Sequence, residues 1–129
     1  MPKYVLNKQV RDKLRNEYAQ NNQKATYKKL SSDELAQALM QKLVEEVKEA
    51  TVSDRQSMVT ELADIYQVIE DTMNVYNITP QEVYEVKQAK LEKRGGFSGA
   101  TFVQTLELAE DDEWNEYYRA SPETFQELK

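Results

Sequence analysis

Neither Gly nor Pro occurs between Lys3 and Thr79, and apolar residues recur there at helical spacing. A 3.6-residue rhythm without backbone breakers predicts helices joined by short polar turns. Val10, Leu14 and Tyr18 stand at i, i+4 and i+8 and predict a first helix over about 9–20. Residues 21–31 form a loop, with a short extended piece at 25–30. A second helix is expected over about 33–51, a third over 54–76 and a fourth over 80–93, stopped by Gly95-Gly96. Capping-box spacing marks three starts: Ser31 with Glu34, Ser53 with Gln56, and Thr79 with Glu82, the last with Pro80 at the first helical position. Residues 97–129 are less regular. Ser121-Pro122-Glu123 starts at most a short final helix, and Trp114, Tyr117 and Tyr118 are candidates to pack on the rest of the chain.

Plotting the two long helices at 100° per residue separates their acids from ordinary surface charge. In the second, Leu35, Ala36, Leu39, Met40, Leu43, Val47 and Ala50 form one apolar arc. Glu46 falls inside it, between Leu35 and Leu39 in projection; Glu49 lies just beyond the border and Glu45 further out. In the third, the arc is Met58, Leu62, Ile65, Tyr66, Ile69, Met73 and Tyr76. Glu61 sits at its edge beside Ile65 and Val68, and Asp64 lies one step outward. If the helices form an antiparallel hairpin, Glu45, Glu46, Glu49, Glu61 and Asp64 converge. Five carboxylates sharing one partly buried region repel strongly without a cation. Hard oxygen ligands in this number suit Mg²⁺ or Mn²⁺, and such ions suit phosphate chemistry. The plainer alternative is a set of solvated helix acids.

Composition narrows the chemistry. The 129 residues include no Cys and no His. Disulfides, thiolate zinc sites, Cys nucleophiles and His-based acid–base catalysis are therefore excluded. Any catalysis runs on carboxylates, hydroxyls, amines, guanidinium groups or a bound metal. No apolar run reaches the roughly 20 residues of a bilayer span, and Met1-Pro2-Lys3-Tyr4 does not begin a signal peptide. A cytoplasmic protein with no membrane partner is the expectation. The net charge of −6 argues against nucleic acid as a partner. That charge sits in the tail: residues 107–129 carry eight acids against two bases, while residues 1–106 carry 15 of each.

The basic residues complement the central acids. Residues 1–29 hold eight bases against Asp12 and Glu17, and the fourth helix ends with Lys87, Lys90, Lys93 and Arg94. Amines and guanidinium groups beside a metal site would bind a polyphosphate; a solvated face with helix-end charges is the alternative. Gly95-Gly96-Phe97-Ser98-Gly99 lacks the Walker spacing, and a helix C-cap accounts for its first two glycines.

Glu45-Glu46-x-x-Glu49 followed by Glu61-x-x-Asp64 resembles the signature of the MazG-like all-α nucleotide pyrophosphohydrolases. That superfamily includes phosphoribosyl-ATP pyrophosphohydrolase and the dimeric dUTPases. Asn7-Lys8-Gln9-Val10-Arg11-Asp12-Lys13-Leu14 is similar to the N-K-L-V-R-D-K-I opening of its phosphoribosyl-ATP pyrophosphohydrolase-like branch. Lys93-Arg94-Gly95-Gly96-Phe97 is similar to the E-R-G-G-F that closes that branch's last core helix. Order and spacing agree over about residues 4–103. Gln9 replaces an apolar residue, Arg15 stands where the branch often has Pro, and Lys93 replaces Glu. The segment 107–129 lies outside the resemblance.

The resemblance implies an all-α helical bundle of about four core helices, with a pyrophosphohydrolase domain at 1–106 and an irregular acidic extension at 107–129. It implies hydrolysis of a nucleoside triphosphate between the α and β phosphates to a monophosphate and pyrophosphate, in house-cleaning of the nucleotide pool. Glu45, Glu46, Glu49, Glu61 and Asp64 would be the catalytic, Mg²⁺-holding residues (Mn²⁺ serving as well). One of them, or a metal-bound hydroxide they orient, would supply the nucleophile. Lys8, Arg11, Lys13, Lys90 and Arg94 would contact substrate phosphates, and a homo-oligomer, dimer or tetramer, is expected. Phosphoribosyl-ATP hydrolysis in histidine synthesis is the alternative within the same chemistry. A non-catalytic helical module whose acidic tail engages a basic partner is the alternative from another class.

Overall fold

A computed structural model describes all 129 residues. The chain forms five α-helices and no strand: α1 Leu14–Gln20, α2 Ser32–Ala50, α3 Arg55–Val75, α4 Pro80–Arg94 and α5 Trp114–Arg119. The all-α expectation holds. Contacts divide the chain into two compact units, Met1–Lys93 and Arg94–Lys129. This division follows contacts and falls at the last turn of α4, whereas the boundary at residue 106 followed charge and motif.

In the first unit the helices that pack extensively are α2 and α3. Their four-residue connection is too short for anything but an antiparallel hairpin. Ser32, Asp33 and Ala36 accordingly line one shallow depression together with Val75 and Tyr76 from the far end of α3. The start of α2 is a complete capping box: Ser31 Oγ accepts from the Glu34 N–H at 3.2 Å, and Glu34 Oε1 accepts from the Ser31 N–H at 3.1 Å. The Lys28 ammonium, 2.8 Å from Glu34 Oε2, followed by the hydrogen bonds with Ser31, pulls the Glu34 carboxyl down to about 2. The box expected at Ser53 does not form. Asp54 caps α3 instead, accepting from the Ser57 N–H at 2.8 Å, while Ser53 Oγ donates to the Glu49 carbonyl. Asp is as good a cap as Ser, and the preceding helix end claims the Ser hydroxyl. The Thr79–Glu82 box is present.

The hairpin seam is rotated from the apolar arcs. Its buried residues are Leu39, Glu46 and Val68, and Leu35, Lys42, Ile65 and Thr72 are half-buried around them. In projection the seam therefore centres on Glu46 and Glu61, about 60–80° from the middle of each arc. Arc members Met40, Val47, Leu62, Tyr66, Ile69 and Tyr76 stay exposed. Helix α4 likewise leaves Val83, Tyr84, Val86 and Leu91 exposed.

The first helix begins at Leu14 rather than near residue 9. Lys13, its N-cap, makes no capping side-chain bond, and the Leu14 N–H closes a turn onto the Arg11 carbonyl. Residues 25–30 form no strand, since an isolated extended segment has no ladder to join. The Arg15 guanidinium lies 4.3 Å from the Tyr27 ring centre and ties this loop to α1.

The second unit contains α5 and an aromatic cluster. Trp114 and Tyr117 meet edge to face at 5.4 Å, and Tyr118 meets Phe125 edge to face at 5.0 Å. The final helix thus lies at Trp114–Arg119 rather than after Ser121. Its start is held by Asp112 Oδ1, which accepts from the Trp114 N–H at 2.9 Å, and Asn115 donates to the carbonyls of Ala109, Glu110 and Asp112. Residues 121–125 make a turn in which the Thr124 and Phe125 N–H groups donate to the Ser121 carbonyl.

Candidate metal centre

Antiparallel pairing brings the end of α2 beside the start of α3, and with it Glu46 beside Glu61 and Asp64. Glu46 is 4% exposed. Its Oε2 and the Oε2 of Glu61 are buried without a hydrogen-bond partner. Leaving buried carboxylate oxygens unmatched is costly unless a proton shared between them or a cation satisfies them. One oxygen each from Glu46, Glu61 and Asp64 can be chosen so that all lie within 4.8 Å of one another. The donors are all hard oxygens, and the group fits a divalent ion.

Glu45 and Glu49 border this triad. Glu45 Oε1 pairs with Lys8 Nζ at 3.3 Å and with Lys42 Nζ at 3.6 Å. Glu49 is exposed and makes no ion pair, yet its charge acts on both Glu61 and Lys42. Of the basic residues named from the sequence, two reach the acids: Lys8 meets Glu45, and Arg11 NH2 donates to Asp64 Oδ1 at 2.5 Å. Lys13 is exposed at the start of α1 and Lys90 is exposed on α4, both outside any ion pair. Arg94 is an exposed residue of the second unit.

The cluster perturbs its own protonation. Burial, then the adjacent Glu46 side chain, then the charges of Glu49, Glu46 and Asp64 all push the Glu61 carboxyl upward. For Lys42 burial is the largest influence and acts downward. The hydrogen bond to Glu46 and the charges of Glu45, Glu46 and Glu49 together outweigh it, so the net shift is upward.

Lys42 is the residue that the sequence reading missed. Its Nζ lies 3.1 Å from Glu46 Oε1, with the side chain 19% exposed. The signal was its spacing, three residues before Glu45 and four before Glu46, which places an amine against both acids on one helix.

No protein-family model, curated protein or solved structure matches the chain. No helix is long and apolar enough to cross a membrane.

Proposed function

We propose that this chain is a Mg²⁺-dependent nucleotide pyrophosphohydrolase, cleaving nucleoside triphosphates between the α and β phosphates to a monophosphate and pyrophosphate. The observation that carries the reading is the pair of unpartnered, buried oxygens of Glu46 and Glu61 beside Asp64. Glu46, Glu61 and Asp64 would hold the ion, with Glu45 and Glu49 at its rim. A divalent ion bound there would shield phosphate charge and lower the pKa of water beside it. The rim carboxylates supply a proton acceptor, since no His is present. Lys8 and Arg11 stand beside the same acids and would turn to substrate phosphates once these arrive. The motif resemblance over residues 4–103 supplies the reaction; the buried acids supply the reason to expect a cation.

A homo-oligomer belongs to this proposal. Apolar residues left exposed on α2, α3 and α4, among them Met40, Leu62, Tyr66 and Leu91, form surface that helices of a second copy would cover. The deciding experiment is pyrophosphate release from a panel of canonical, modified and phosphoribosyl nucleotides, with Mg²⁺ and with EDTA. Mg²⁺-dependent release from any of them is the expected result and names the substrate. No release from any nucleotide, combined with no Mg²⁺ binding, would leave a helical interaction module.

A further inference from the structure

The acid cluster comes with its own cations, and they differ in how firmly they are held. Lys8 and Arg11 belong to the irregular N-terminal segment, and their side chains are 42% and 60% exposed. Lys42 is on α2 itself, one turn before Glu46, and its side chain is 19% exposed. It meets Glu46 through Oε1, and Oε2 of the same carboxylate has no partner. The two oxygens are thus divided: one belongs to the resident ammonium, the other is free for an external cation. Lys8, Arg11 and Lys42 pair with Glu45, Asp64 and Glu46, while Glu49 and Glu61 make no ion pair.

We infer that Lys42 is the resident counter-ion of this cluster, offsetting the mutual repulsion of its acids in the metal-free chain at the expense of metal affinity. The inference rests on the metal reading of the site given above. Two physical effects meet at Lys42 and pull in opposite directions. Its amine fixes the Glu46 rotamer, which helps a ligand; its charge, one carboxylate away from the ion, repels a divalent cation. Glu46 is already confined by burial in the seam, so little orientation is lost when the amine goes. The charge is not replaced by anything else. Coulomb repulsion between a +1 and a +2 charge a few ångströms apart therefore decides the sign.

The test uses the full chain, Mn²⁺ as the probe, and three variants: Lys42→Met, Lys42→Gln and Lys42→Arg. Mn²⁺ affinity is read by calorimetry and by the paramagnetic resonance of the free ion, without substrate. Melting is followed in EDTA. Lys42→Met is expected to bind Mn²⁺ more tightly than the wild type, on the order of tenfold, and to melt lower in EDTA. Lys42→Arg should restore both values, and Lys42→Gln serves as the neutral variant if Lys42→Met does not fold without metal. An ordinary structural ion pair would lower the melting temperature with Mn²⁺ affinity unchanged or weakened, and that result overturns the inference. Failure of the wild type itself to bind Mn²⁺ overturns the metal reading beneath it, so the two failures are told apart by which protein fails to bind.

Discussion

In the α2–α3 hairpin, helices of 19 and 21 residues meet along a seam centred on carboxylates, whereas in residues 94–129 a six-residue helix carries three aromatic rings that cluster with Phe125. The hairpin has side-chain caps at both helix starts and a buried acid with an unpartnered oxygen. The second unit holds much of the negative charge on exposed side chains and buries no residue fully. Charge density alone therefore does not mark a site. Eight acids in a solvated tail are cheap, since water screens each of them. Glu46, taken out of water between two helices, is expensive and calls for a cation. The contrast is one of environment, not of number.

The strongest way to break this comparison is Glu46→Gln. Turnover should fall on the order of 100-fold or more, as losses of mere supporting groups around a metal already cost 10- to 100-fold. The fold should stay intact or gain slightly, because a neutral amide is cheaper to bury than a carboxylate. Near wild-type turnover at saturating Mg²⁺ would place Glu46 outside the chemistry.

Next in size is the response to metal. An ion at 100 times its dissociation constant adds about 2.7 kcal/mol, a rise of roughly 5–15 °C for a domain of this size. Trp114 is the sole tryptophan and reports on the second unit, while far-UV circular dichroism reports mainly on α2, α3 and α4. Mg²⁺ should move the dichroism transition and leave the fluorescence transition in place. Equal movement of both would mean that the two units melt together.

Much of this fold was legible in the sequence, for reasons that also explain the misses. Helix ends follow local rules, so the Ser31 and Thr79 caps and the stop before Gly95 could be read directly. The α3 cap was misplaced by one residue because Ser53 and Asp54 are both good caps, and only the tertiary end of α2 decides between them. The apolar arcs did not locate the seam, and several of their members stay exposed. A long helix that also leaves apolar residues exposed shows the sum of two demands in projection, and the sum pointed about 60–80° away from Glu46 and Glu61. Lys42 was hidden for a different reason: an amine four residues from an acid is common on any helix surface, and its burial appears only after the hairpin forms. Helix α5 was missed because aromatic contacts and the Asp112 side chain stabilise it, not an apolar period.

A smaller effect concerns pH. Glu61 has a raised folded-state pKa, so its contribution is full below the ordinary carboxylate value near 4.3 and is lost as pH rises through the folded pKa. Glu34, at about 2 in the folded chain, acts oppositely, as do Asp54 and Glu82, both lowered by capping hydrogen bonds. Their contribution is present above the ordinary value and fades as pH falls below it. In EDTA the melting temperature should therefore fall as pH rises from 4.5 toward neutrality, and Glu61→Gln should remove that fall. A wild-type profile that stays flat over this range would mean that Glu61 is solvated like the acids of the tail.

The smallest expected effect is that of removing residues 107–129. The segment supplies eight carboxylates, but none of them is buried. Within it, Asn115 donates to nearby carbonyls, the Trp114 N–H donates to Asp112, and Arg119 Nε donates to Glu127 Oε1 at 3.0 Å. Trp114, Tyr117, Tyr118 and Phe125 contact one another, so truncation removes their cluster as a whole. Cutting after Leu106 leaves every acid and base of the first unit in place. Hydrolysis per site should stay within a few-fold of the full chain, with Mg²⁺ affinity and the dichroism transition unchanged. A truncated chain that remains folded and still binds Mg²⁺, yet loses hydrolysis, would show that the solvated acids take part in the reaction. Burial would then be the wrong criterion for separating the two sets of carboxylates.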